Sequence, residues 1–461
     1  MRIGWALRIV LIATLALPVA VPGPGRAAVP DPILDGPVTG GIHGHPLWDS
    51  WFSLEELGYE EAEYFVFGTA RNLETGAIAD YKTRILVTRP SSAERFNGTV
   101  LLDWTNVTAQ FENAVDTITA HEMLLREGWA FVHVSAQAAG LCCTPLTPKI
   151  WDPVRYRTLS HPGDDYAYDM FSQIAKAFRS PGAVDPMAGL GVERIIAAGQ
   201  SQSASRLYGY VTEAQAEAGI IDGFLIHGGG SKTYETPPAA PVLHLLSDAE
   251  ASPSEPNTTT NYRLWEVAGA AHSDFYIGYH QVVGQGPRFA AGLRRPASAD
   301  EDLHVVAGNY GEQPHPLHLA CVLAGGSFPM RYPTMAALKL LDRWIADRAP
   351  PPNGPRFVFN GNGQAKDGFG NALGGIRLPP IDVPVARYES TICELGGITI
   401  PFTEVQLRTL YPTHADYYAK MQAAAAATVS QGFMLPEDVP DLLGRACAAR
   451  NRWPLDTAAD C

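Results

Sequence analysis

Between residues 99 and 268 the chain keeps returning to one pattern, a short and continuously apolar run that ends at a polar or glycine-bearing turn. Thr99-Val-Leu-Leu-Asp-Trp, Trp129-Ala-Phe-Val-His-Val, Arg194-Ile-Ile-Ala-Ala, Gly223-Phe-Leu-Ile, Pro241-Val-Leu-His-Leu-Leu and Arg263-Leu-Trp-Glu-Val-Ala all fit it. Strands this apolar must be covered on both faces, and helices between them supply the cover, which specifies a parallel sheet in an α/β fold. Three intervening segments have helical spacing: 113–127, with Val115, Ile118, Met123 and Leu124 near one face; 165–178; and 203–218, carrying Leu207, Tyr210, Val211 and Ala214 inward. Tyr64-Phe-Val-Phe and Thr83-Arg-Ile-Leu-Val-Thr read as two earlier strands, with the turn between them over 72–80. Sheets of this class bind ligands at the carboxyl ends of their strands. The strand ends are therefore where chemistry is expected.

The first 27 residues stand apart. Arg2 and Arg8 precede an apolar run over 9–21, and Gly25-Arg26-Ala27 follows closely. This is the pattern of a secretory signal. A retained anchor is the alternative, but a span needs ~20 apolar residues, and Pro18, Pro22 and Pro24 interrupt this one. The expectation is a secreted or periplasmic protein with no stable membrane insertion after cleavage. The net charge of −14 offers no basic surface for nucleic acid. Six cysteines in an exported chain permit disulfides. Cys447 with Cys461 is the favoured pair, whereas adjacent Cys142 and Cys143 are expected to find other partners or to include a free thiol. No CxxC or Cys/His ligand spacing occurs, so no structural metal is expected.

Residues 28–461 read as a single domain. The segments 138–164 and 275–330, rich in Gly, Pro and His without clean periodicity, are expected to form a cap. An amphipathic helix over 335–347 stops at Pro350-Pro351-Pro352, and the extension 353–461 holds one further clear helix at 415–429. That extension is expected to wrap the core.

The sharpest motif is Gly199-Gln200-Ser201-Gln202-Ser203, set between an apolar strand and a helix. A nucleophile elbow presents its serine on a strained turn, so the residues two positions to either side must be small. Ser203 stands where a second glycine is usual. A polar turn with Ser201 or Ser203 as a helix cap is the bland alternative. A serine nucleophile needs a histidine base and an orienting acid, and in sheets with such an elbow the acid and then the histidine follow in the chain. Here Ser247-Asp248-Ala249-Glu250 follows the strand 241–246, and Gly269-Ala270-Ala271-His272 follows 263–268. The candidate triad is Ser201, Glu250 and His272, with Asp248 as the alternative acid. The oxyanion donors are expected to be the Gln202 backbone N–H and one from the loop of Asn106 and Val107. His227-Gly228-Gly229-Gly230 imitates an oxyanion motif but follows the nucleophile, and is read as a flexible turn near the site mouth.

These residues resemble a large family of exported bacterial proteins called "alpha/beta hydrolase domain" proteins. The markers are Asp103-Trp104-Thr105-Asn106-Val107, Trp151-Asp152-Pro153-Val154-Arg155-Tyr156, His161-Pro162-Gly163-Asp164, the elbow itself, Glu266-Val267-Ala268-Gly269-Ala270-Ala271-His272, and Gly370-Asn371-Ala372-Leu373-Gly374-Gly375-Ile376-Arg377. Family members commonly carry Glu–Trp in place of Asp103-Trp104 and glycine in place of Arg157. The resemblance implies an α/β-hydrolase fold, a mostly parallel central sheet flanked by helices, and serine esterase chemistry, without identifying the ester; a small-molecule ester is the expected substrate, and the candidate triad itself asks for no cofactor. Acyl transfer to an alcohol on the same residues, or a non-catalytic binding role, are the alternatives. His161, Asp164 and Asp165 suggest a metal site less than a turn with a helix cap. Arg377 reads as a loop pin before it reads as a substrate contact. Trp151, Tyr156, Tyr166, Phe275 and Tyr276 hint at an aromatic acyl pocket.

Overall fold

In a computed structural model, residues 28–50, 53–230, 232–254, 259–281, 325–361, 363–394, 396–453 and 461 are described. Nine strands form one sheet: β1 (Ile33–Asp35), β2 (Tyr59–Arg71), β3 (Ile78–Pro90), β4 (Thr99–Trp104), β5 (Ala130–Val134), β6 (Arg194–Gln200), β7 (Gly223–His227), β8 (Val242–Ser247) and β9 (Tyr262–Val267). Their spatial order is β1-β2-β3-β5-β4-β6-β7-β8-β9. The first three are antiparallel to their neighbours, and every pair from β5 to β9 is parallel. The chain reverses its direction of advance at β4, which lies between β5 and β6. That reversal opens a crevice at the carboxyl ends of β4 and β6.

The period of two along each strand divides the core. Leu101, Ile196, Leu225 and Leu243 face the helices Val115–Arg126 and Arg331–Asp347. Val100, Ile195, Phe224 and Val242 face Ala167–Arg179 and Gln202–Glu213. All are fully buried, each contributing about 1.5–3 kcal/mol. The hairpin of β2 and β3 is longer than the two apolar runs suggest, with thirteen residues in each strand. Its turn is correspondingly shorter than 72–80, because Asn72 Oδ1 accepts the N–H groups of Glu74 and Thr75 and closes it at once. In the extension, Tyr417, Met421, Leu442 and Trp453 join the same apolar cluster as Trp265 and Leu341.

A buried ion network fixes one wall of the molecule. Glu63 of β2 pairs with Arg84 of β3 (2.7 Å) and with Arg155 (2.6 Å), and Arg84 also pairs with Glu112 (2.6 Å). Tyr156 donates to Glu63, and Arg155 donates to the carbonyls of Val38 and Gly40. The expected cap segment 138–164 is thereby tied to the sheet and to the N-terminal stretch. Removing one member of such a buried pair costs about 3–5 kcal/mol. Of the second expected cap segment, 282–324 lies outside the described residues, as do the 27 residues read as a signal.

The cysteines correct one expectation. Cys142 and Cys143 are bonded to each other; Cys143 turns into the left-handed region (φ 99°), which brings adjacent sulfurs together. Cys447 and Cys461 are paired. Among the described residues no helix is long and apolar enough to cross a membrane.

Candidate active site

The site grows from the end of β6. Gly199 and Gln200 close the strand, Ser201 turns sharply (φ 62°, ψ −117°), and the helix Gln202–Glu213 starts immediately after it. A side chain at position 199 would bring its Cβ within 3.0 Å of the Ser203 carbonyl oxygen, which is why a glycine stands there. Ser203 is fully buried, and its hydroxyl has no hydrogen-bond partner among the described residues. An unpaired buried hydroxyl costs stability. Ser203→Ala is therefore expected to keep full activity and to melt no lower than the parent. Ester turnover and thermal melting measure both, and a large loss of turnover would show the elbow to be read one turn out.

Ser201 Oγ lies 2.7 Å from His272 Nε2. The histidine comes from the turn after β9, and its other nitrogen, Nδ1, lies 3.2 Å from Glu250 Oε1, close enough for an ion pair but bent away from the best hydrogen-bond line. Glu250 ends the short helix Asp248–Glu250 after β8, where it completes a capping box with Ser247. Its Oε2 accepts from Ser247 N (3.2 Å) and Oγ (2.9 Å), and its Oε1 accepts from Gly230 N (3.3 Å). Burial pushes this carboxyl up, but the neighbouring His272 and the Ser247 donors outweigh it and hold the pKa down to about 2. A depressed carboxyl stabilises the fold above its ordinary value of 4.5 and loses that contribution as pH falls toward about 2. Melting temperature measured from pH 5 to 2 should fall, and Glu250→Gln should flatten that acid arm.

Asp248 is not brought to His272. Its carboxylate accepts the Gly269 N–H (3.2 Å) and the Gln364 side-chain amide, and Lys366 lies 3.6 Å away. It thus pins the turn that carries the histidine, and burial pushes its own carboxyl up.

Of the two residues named in the loop after β4, Asn106 does not present a backbone donor. Its N–H is given to Asn113 O (2.8 Å) in a reciprocal bridge. Val107 follows it, buried, and Gln202 occupies the first helical position beyond the serine. The glycine run after His227 lies at the site itself. It is packed beneath the serine and the acid: Ser201 N donates to His227 O (2.9 Å), and a Cβ at Gly228 would lie 2.8 Å from Glu250 Oε1. Gly228 and Gly229, both at positive φ, allow that approach. His227 Nδ1 in turn meets Asp116 (2.8 Å), both buried. Burial and the Asp116 charge push the Asp103 carboxyl well up. Gln200, Asp116 and His227 had no signal beyond their place beside the motifs.

The sequence profile of a family described as "Alpha/beta hydrolase domain" matches residues 34–444. The chain belongs to the alpha/beta hydrolase domain family. Among solved structures it is similar to esterase Est22 (14% identity, TM-score 0.26, covering 42% of this chain and 66% of that one). It is also similar to Est1E from Butyrivibrio proteoclasticus (11%, 0.24, 43% and 87%) and to a prolyl endopeptidase (11%, 0.26, 46% and 35%). The chain thus spans less than two thirds of Est22 and about a third of the endopeptidase. Overlaps this shallow assign no substrate. No curated protein matches.

The remaining candidates in this family member have structural partners. His161 uses both ring nitrogens, on Ala136 O (3.1 Å) and Gly163 N (3.1 Å). Asp164 accepts from Ala138 N, Gln137 and Arg206, so it caps the helix Ala138–Leu141 instead of its own. Arg377 is spent on Asp382, Asp367 and two carbonyls. Tyr156 belongs to the buried ion network and Trp151 stacks on His43 at 4.0 Å, so neither is set toward Ser201. Tyr276 is buried and donates to Glu122.

Proposed function

We propose that this chain hydrolyses carboxylic esters of small molecules through an acyl-enzyme on Ser201. The observation that carries the reading is the 2.7 Å contact between Ser201 Oγ, on a strained strand-to-helix turn, and His272 Nε2. His272 takes the hydroxyl proton as Ser201 attacks the carbonyl carbon, and returns it to the departing alkoxide. Glu250 holds the ring and stabilises the imidazolium. The developing oxyanion is met by the backbone N–H groups of Gln202 and Val107. Water then repeats the sequence on the acyl-enzyme.

A fluorophosphonate probe tests this directly. Labelling of the purified protein at the peptide holding Ser201 is expected, together with turnover of short-chain p-nitrophenyl esters. A folded protein that takes no label sinks the enzyme reading. Products formed with and without added alcohol separate hydrolysis from acyl transfer. We also propose export, on the charged and apolar pattern of residues 1–27. N-terminal sequencing of the protein from the cell exterior or periplasm should begin near residue 28, and an intact Met1 in the cell interior would reject it.

A further inference from the structure

We infer that Gln200 and Asn106 are positioning residues, two side-chain amides in series that hold the base in register with the nucleophile turn; this rests on the triad proposed above. The Asn106 side chain is fixed at one end by Thr108 N, which donates to its Oδ1 (2.8 Å). Its Nδ2 donates to the backbone carbonyl of Gln200 (3.0 Å). The Gln200 side chain then donates from Nε2 to the backbone carbonyl of His272 (3.0 Å). The same Nε2 lies 3.4 Å from His272 Nε2, on the nitrogen that faces Ser201. Both amides are buried.

The geometry explains why such a link matters. His272 follows β9 and Ser201 follows β6, and two strands, β7 and β8, lie between them in the sheet. Glu250 restrains the ring from the turn after β8 but leaves the backbone of His272 to the loop. The Gln200 amide ties that backbone to the residue preceding the nucleophile, and Asn106 ties the same residue to the loop that carries Val107. Base, nucleophile and oxyanion loop thus share one short chain of bonds. Small misplacements of reacting groups are costly, reaching about a hundredfold for ~1 Å.

The charges around His272 make a second readout available. Glu250 is the ionised group in contact with its ring. Asp248, on the same turn, faces Gly269, Gln364 and Lys366, and Asp274 caps the helix Phe275–Tyr279. From β6 and the elbow, Gln200 and Ser201 present neutral groups.

The test compares the mature enzyme with Gln200→Met and Gln200→Glu on a p-nitrophenyl ester across pH. Gln200→Met, matched in length but without a donor, is expected to lower kcat roughly 10- to 100-fold with KM little changed. Gln200→Glu places a carboxylate beside the ring, favours the imidazolium, and should move the acid limb of kcat/KM up by about one pH unit. A merely structural role would not move that limb. Asn106→Asp should lower kcat in the same way without moving it. Folded Gln200 variants with parental kcat and an unmoved limb overturn the inference. If Gln200→Met fails to fold, the isosteric Gln200→Glu decides alone. Parent enzyme labelled at Ser201 beside unaffected variants rejects only the amide link, whereas an unlabelled parent removes the triad and the link together.

Discussion

Ser201→Ala and His272→Ala are each expected to lower ester turnover by about 10⁶, to the detection floor, while leaving a folded protein. The two side chains act as one unit across a 2.7 Å contact, so the double variant should be no worse than either single one. Circular dichroism and melting establish the fold, and turnover establishes the loss. Ser201→Gly sharpens the test. The residue sits at φ 62°, where a side chain is strained and glycine is not, so this variant should be equally inactive yet more stable by up to about 1 kcal/mol. A variant that lost both activity and stability would mean that the turn is an ordinary structural one.

The second large effect separates the two carboxylates that the sequence left in competition. Glu250→Gln keeps the shape and the Ser247 bonds but removes the charge opposite the imidazolium, and about a 10⁴-fold loss of kcat is expected. Asp248→Asn should leave kcat near the parental value and cost about 1–3 kcal/mol, because the donors it serves, the buried Gly269 N–H and the half-buried Gln364 amide, lose a charged acceptor. The opposite outcome would reassign the acid to Asp248.

The sheet was legible because buried parallel strands leave an unbroken apolar run, and β4 through β9 each end within a residue or two of the expected place. The three-residue β1 and the full length of β2 and β3 were not, since the antiparallel hairpin of β2 and β3 runs past its apolar stretches through mixed residues such as Glu60, Glu61 and Lys82. Ser201, Glu250 and His272, which the structure brings side by side, were candidates on their positions after three strands alone. Asn106 was misjudged because a reciprocal backbone bridge to Asn113 has no side-chain signature. At Gly228 the sequence recorded that something comes close without recording that it is Glu250. The ion network of Glu63, Arg84, Glu112 and Arg155 joins charges far apart in the chain, and no local pattern announces such pairs.

The capping box at Ser247 has a consequence for how this site can be altered. One carboxylate serves two masters, since Glu250 Oε2 closes the turn on Ser247 while Oε1 faces His272. Aspartate is a methylene shorter and cannot span both, so the usual interchange of the two acids is closed to this position. Ser247, one hydrogen bond behind the acid, inherits the same constraint. Mutational libraries that randomise 247–251 to reshape selectivity would discard most members for a reason unrelated to substrate fit. Diversity is better introduced on surfaces where shape and catalysis are carried by different side chains.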